Sequence, residues 1–172
     1  RTKSVNMVAY IKVGSRFNVA KGNPSKVDPS NPLNLCGLTI GVQTGTSQEE
    51  AINTYSTNCT KASKKAINVK SYAKFGDATT ALAGQALDAT FADSPVADYA
   101  AKQTNGAVVA VGDLIDPATQ AVVINKNDTA TTQAVQKAMQ YLIDKGVWNQ
   151  ILTAWGIDTS QALKTATINP AE

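Results

Sequence analysis

The sequence predicts an α/β fold with a mostly parallel sheet. Two observations carry that prediction. Short apolar runs alternate along the chain with stretches of helical periodicity, the pattern of successive strand and helix units. The composition, 43% hydrophobic and 17% charged over 172 residues, is that of a packed chain and not of a disordered one. That length supports one ordinary core, or one core and part of a second.

Six runs read as buried strands. They are "RFNVAKG" (residues 16–22), "LTIGVQ" (38–43), "INVKSY" (67–72), "LDATFAD" (87–93), "AVVAVG" (107–112) and "AVVINK" (121–126). Helical patterns occupy residues 48–62, 76–84, 95–103, 131–145 and 147–155. "NPSKVDPSNPLN" (23–34) carries three prolines and no apolar period, so it reads as a surface connection. In the helix over 131–145, Ala134, Val135, Ala138, Met139 and Leu142 recur at helical spacing. They predict a buried stripe, with Gly146 as a natural stop. Val147, Trp148, Ile151, Leu152 and Trp155 give the next helix an apolar face.

Histidine is absent. Its absence removes Ser-His-Asp and Cys-His nucleophiles, H-E-x-x-H zinc chemistry and histidine general bases together. The net charge of +3 comes from scattered lysines, with no basic run or aromatic-basic stripe to suggest nucleic acid. No apolar stretch reaches the length of a membrane span. The chain opens on Arg1 without a methionine or a signal-peptide pattern, which reads as a processed product or a cut segment. Cys36 and Cys59 lie too far apart for C-x-x-C redox chemistry and are too few for a zinc site. One structural disulfide is the favoured reading and two buried thiols the alternative. The disulfide would place the protein outside the cytosol and stabilise it by about 3 kcal/mol in the chain-entropy model.

In open α/β sheets, ligands gather beyond the carboxyl ends of the strands, and two such ends stand out. In "TIGVQTGTSQEEA" (39–51) the chain turns at Gly45, and Thr46 to Glu49 fits a capping box. A helix start presents unpaired N–H groups and a positive dipole end. Thr46 and Ser47 therefore either cap their own helix or leave room there for an anion. The lysine of a phosphate loop is missing. In "FADSPVADY" (91–99), Ser94 and Pro95 supply a cap and a favoured first helical residue, which leaves Asp93 surplus. It is either a second-choice cap or ion-pair partner, or an acceptor for an ammonium group. Together the two ends offer donors for a carboxylate and an acceptor for an amine, the pair that an α-amino acid needs.

The order of these pieces resembles the amino-acid-binding family of periplasmic solute-binding proteins, the two-lobed, type II receptors of ABC importers. The matching stretches are "RTKSVNMVAYIKVGSRFNVAKGNP", "LCGLTIGVQTGTSQEE", "DATFADSPVADYAAKQ", "AVVINKND" and "AMQYLIDKGVWNQILTAWGI", nearly the whole chain in the family's order. The cysteine pair resembles lipid-anchored actinobacterial members. The resemblance implies one complete lobe plus a remnant of the other: residues 1–12 a lobe 1 strand, 13–120 lobe 2, and 121–172 the hinge return and C-terminal helices of lobe 1. It implies ligand contacts from Arg1, Thr46 and Ser47 to a carboxylate, from Asp93 to the α-amino group, and from Gln43. An arginine fork and fixed helix-start donors suit a carboxylate.

The expected function is extracytoplasmic capture of a polar amino acid for import, without a cofactor, with a membrane permease as partner. A dehydratase or lyase on the same scaffold and the sensor domain of a receptor are the alternatives. The family begins with most of lobe 1, which here would precede Arg1. A fragment or engineered truncation is therefore expected. Its uncovered apolar helices would favour a homodimer or segment exchange.

Overall fold

The computed structural model describes residues 3–170. The chain divides into two compact units. A central unit runs from Ser15 to Ile115, and a terminal unit combines the segment up to Gly14 with the segment from Asp116 onward.

The central unit is a mixed sheet with helices on both faces. Its strands are β2 (Thr39–Gln43), β3 (Asn68–Tyr72), β4 (Ala89–Asp93), the second part of β1 (Val5–Ala20) and the first part of β5 (Val108–Asn125), ordered β3-β2-β4-β1-β5. β2 pairs in parallel with β3 and with β4, whereas β1 runs antiparallel to β4. The parallel part fits the strand and helix alternation of residues 39–93. The antiparallel strand β1 enters from the other unit, so no crossover helix sets its direction.

Pleat alternation in β4 sends Ala89 and Phe91 to one face and Ala92 to the other. On the first face Phe17 lies directly opposite Phe91 in register. Their rings stack at 4.2 Å, worth about 1 kcal/mol beyond the burial itself. Helix α1 (Ser47–Lys61) covers this face with Ile52 and Cys59, beside Val19, Ile40, Val42 and Ile67. On the second face helices α2 (Phe75–Ala83) and α3 (Ser94–Gln103) pack Phe75, Ala78, Ala97 and Ala100 against Ala92. Gly41 in β2 lets these layers approach: a Cβ there would lie 2.5 Å from Leu87 Cδ1 and 3.3 Å from Thr90 Cγ2.

Cys36 and Cys59 form a disulfide, with their Cα atoms 5.6 Å apart. It joins the segment before β2 to the last turn of α1. Residues 23–34 are not wholly a surface connection. Val27 is buried, and a 3-10 turn at Pro32–Leu35 buries Leu35. Asp88 anchors the loop by accepting from Ser25 Oγ and from the Thr39 backbone N–H, the latter at 2.7 Å.

Three expectations about elements are corrected. The runs at 107–112 and 121–126 belong to one strand, β5, in which Gly112 (φ 74) and Asp116 (φ 48) take left-handed angles. They bend the strand without ending it. The run at 16–22 is the second half of a strand that begins at Val5 and stops at Ala20, with Lys21 and Gly22 in a turn. The cap position of α3 is Asp93 and Ser94 is the first helical residue, although the Asp93 side chain makes no capping bond.

In the terminal unit the C-terminal segment lies against the first half of β1. Val8 bridges Ile168 and Ile11 bridges Ala162 in antiparallel fashion. Helix α4 (Thr129–Asp144) holds the same segment through Gln136 Nε2 to Ala166 O and Ala166 N to Gln140 Oε1, both 2.9 Å. Helix α5 (Val147–Trp155) turns Trp148 onto Tyr10, edge to face at 5.7 Å, with its indole N–H on the Tyr10 carbonyl at 3.2 Å. The predicted buried stripe of α4 is corrected: Ala134 and Ala138 are exposed, and Val135, Met139 and Leu142 are half-buried. Helical spacing marks an apolar face, but in this chain little covers it.

Candidate functional site

At the carboxyl end of β2 the chain reverses at Gly45 (φ 75) and enters α1. Thr46 is the N-cap. Its hydroxyl accepts from Glu49 N at 3.2 Å and donates to Gln43 O at 2.7 Å. Glu49 reaches back past the cap to the Gly45 N–H at 2.7 Å, and its other oxygen accepts from Ser71 Oγ. The Ser71 hydroxyl first, and then the Gly45 N–H, hold the Glu49 carboxyl below the usual glutamate range, because both bonds favour the ionised form. The turn is thus fixed from β3 as well as from its own helix.

Asp93 ends β4. In the register it faces Ser15 of β1, and its Oδ1 accepts from Gln48 Nε2 at 2.7 Å. The same amide nitrogen donates to Ser15 Oγ at 2.9 Å. Gln48 is buried whereas Asp93 is exposed. Gln43, Thr46, Gln48, Phe75, Phe91, Ala92, Asp93 and Val96 line a pocket of about 60 Å³. That space suits one end of a ligand rather than a whole amino acid. Asp93 is the one ionisable side chain among these lining residues. Arg16 Nη1 pairs with Asp98 Oδ1 at 2.8 Å, both largely buried, and this ties the middle of α3 to β1. A larger concavity of about 450 Å³, lined by Asn31, Pro32, Leu33, Asn58, Lys61 and Ala62, lies in the region of the disulfide. It brings no donor and acceptor pair of opposite charge together.

No family model matches the chain. The arginine-binding protein ArgT of Corynebacterium glutamicum is 31% identical over 159 residues, which are 92% of this chain and 51% of that protein. The chain is homologous to that arginine-binding protein.

The chain spans about half the length of that curated relative. Among solved structures, an ancestral cationic amino acid solute-binding protein superposes with a TM-score of 0.74 at 21% identity, over 91% of this chain and 64% of the other. A polar amino acid ABC uptake substrate-binding protein from Streptococcus thermophilus gives 0.69 at 20% identity, over 94% and 61%. These likenesses show that the chain has the fold of the matching part of these type II periplasmic-binding structures.

Of the residues singled out in the sequence, Gln43, Thr46 and Asp93 line one pocket. Ser47 stands at the first helical position, exposed, and is not among the lining residues. Arg1 lies outside the described residues. Gln48 was missed. A signal for it existed: Ile52 and Cys59 form the buried face of α1 with Tyr55 packed beside them, and one turn back that face reaches residue 48.

Proposed function

We propose that this chain is the substrate-binding component, or a part of one, of an ABC importer for a polar amino acid, with arginine the first ligand to test. The observation that carries the reading is the shared pocket of Asp93 and the α1 N-terminus. A carboxylate there receives an α-ammonium, and the helix-start N–H groups, with Ser47 and Thr46, receive the α-carboxylate. Arg1 and Gln43 are assigned to the carboxylate end in the same reading. The ArgT relationship supports arginine as ligand. In this reading the central unit corresponds to lobe 2 and the terminal unit to part of lobe 1.

In this reading the site binds the amino acid and returns it unchanged. The disulfide supports an extracytoplasmic location, where a membrane permease would receive the ligand. Exposed Val122, Val123, Tyr141, Ile151 and Trp155 support self-association, which light scattering over a concentration series tests; an unchanging monomer mass would sink it.

The deciding experiment is calorimetric titration with a panel of amino acids, repeated with Asp93→Asn. We expect saturable binding that weakens about a hundredfold on substitution, the scale of losing a charged hydrogen bond. The amino acid should be recovered unchanged afterwards. A folded chain that binds none of the panel overturns the reading.

A further inference from the structure

We infer that Gln48 is a positioning residue that sets the Asp93 carboxylate for its ligand, an inference that rests on the amino-acid-binding reading above. Asp93 ends its strand exposed, and an unrestrained surface carboxylate samples several rotamers. Here one oxygen is taken. The Gln48 amide nitrogen donates to Asp93 Oδ1 at 2.7 Å and to Ser15 Oγ at 2.9 Å, so both amide hydrogens are used.

Burial fixes the donor. Gln48 is 7% exposed, in the first turn of a helix whose entry is held by Thr46 and Glu49. A buried side chain on a rigid element has little rotamer freedom left to lose on binding. The carboxylate is thereby aimed before the ligand arrives, with Oδ2 making no hydrogen bond among the described residues and left for the ammonium. Ser15 sits opposite Asp93 in the β1 and β4 register. The three side chains therefore form a chain across two strands and a helix: serine oxygen, amide nitrogen, carboxylate oxygen.

The amide also sets the sign of the site. A neutral donor supports an anionic Asp93 without neutralising it, which a lysine at position 48 would do. A glutamate would place a second negative charge against it. One oxygen already engaged favours a ligand group that contacts the carboxylate at a single point, a primary ammonium, over side-on pairing of a guanidinium with both oxygens.

The test is a double-mutant cycle read by calorimetry on the whole chain, using the tightest binder of the amino-acid panel beginning with L-arginine. Gln48→Met keeps the length and removes the donor. It should weaken binding about tenfold in the otherwise unchanged chain and less than twofold in the Asp93→Asn background, since coupled groups are not additive. Ser15→Ala removes the far bond alone and should cost about threefold. Equal losses in both backgrounds would mean that Gln48 merely supports the helix, and unchanged binding by Gln48→Met would remove it from the site. Either result overturns the inference while the binding reading stands. Silence of the unsubstituted chain overturns both.

Discussion

Glu49 holds the turn before α1 with both of its oxygens, one on the Gly45 N–H and one on the Ser71 hydroxyl. Its folded carboxyl lies below its ordinary value of 4.5, so the sign of its contribution is fixed. Stability from Glu49 is fully present above the ordinary value and is lost as pH falls through the lowered folded value. Glu49→Gln should therefore melt at a lower temperature near neutral pH, with the gap to the unsubstituted chain closing as acid protonates Glu49. Thermal midpoints across a pH series check this, and parallel curves would refute it. The capping pair itself was legible, because threonine followed three residues later by glutamate is a local pattern. Ser71 was not legible, since a partner 22 residues away leaves no mark beside Glu49. Gln48 failed to stand out for a related reason. In the run Thr46 to Glu50 every residue is polar, and only the apolar face that Ile52 continues one turn on marks Gln48 as the one that faces inward.

Helix starts and strand interiors carry the next level of the argument. Thr46→Ala removes the cap of α1 together with the bond to Gln43 O and should cost about 1 kcal/mol in denaturant unfolding. Gly41→Ala should cost about as much, because a methyl there meets Leu87 and Thr90 in the packed interior. A variant as stable as the parent would mean that the layers can part at no cost. The five helices and the strands β2, β3 and β4 were legible because each is short, periodic and bounded by turn residues. β5 was not. Gly112 and Asp116 look like stops in the sequence, and only the tertiary path shows that the strand bends there and continues. α4 shows the opposite limit. Its apolar period is genuine, but periodicity cannot say whether a neighbour exists to cover Ala134 and Ala138.

At the scale of the whole molecule, the Cys36–Cys59 disulfide closes a loop of sequence separation 23 in the central unit. Reduction should lower stability by about 3 kcal/mol, visible as a shifted urea midpoint when unfolding is repeated with reductant. An unmoved midpoint would mean that the loop is already ordered in the unfolded chain. The disulfide and the α/β class followed from residue types and their order. The two units divide near residues 14 and 116, inside the continuous strands β1 and β5 and not in a polar linker, so residue types alone do not mark the division; the expected bounds at 12 and 120 came from the family resemblance. The aromatic residues turn this division into an optical one. The chain has two tryptophans, Trp148 and Trp155, and both belong to the terminal unit. One is half-buried against Tyr10 and the other is 54% exposed. Indole emission therefore reports melting of the terminal unit alone, while far-ultraviolet dichroism reports both. Coincident curves would show a single cooperative protein, and separated curves would show two units that unfold in turn.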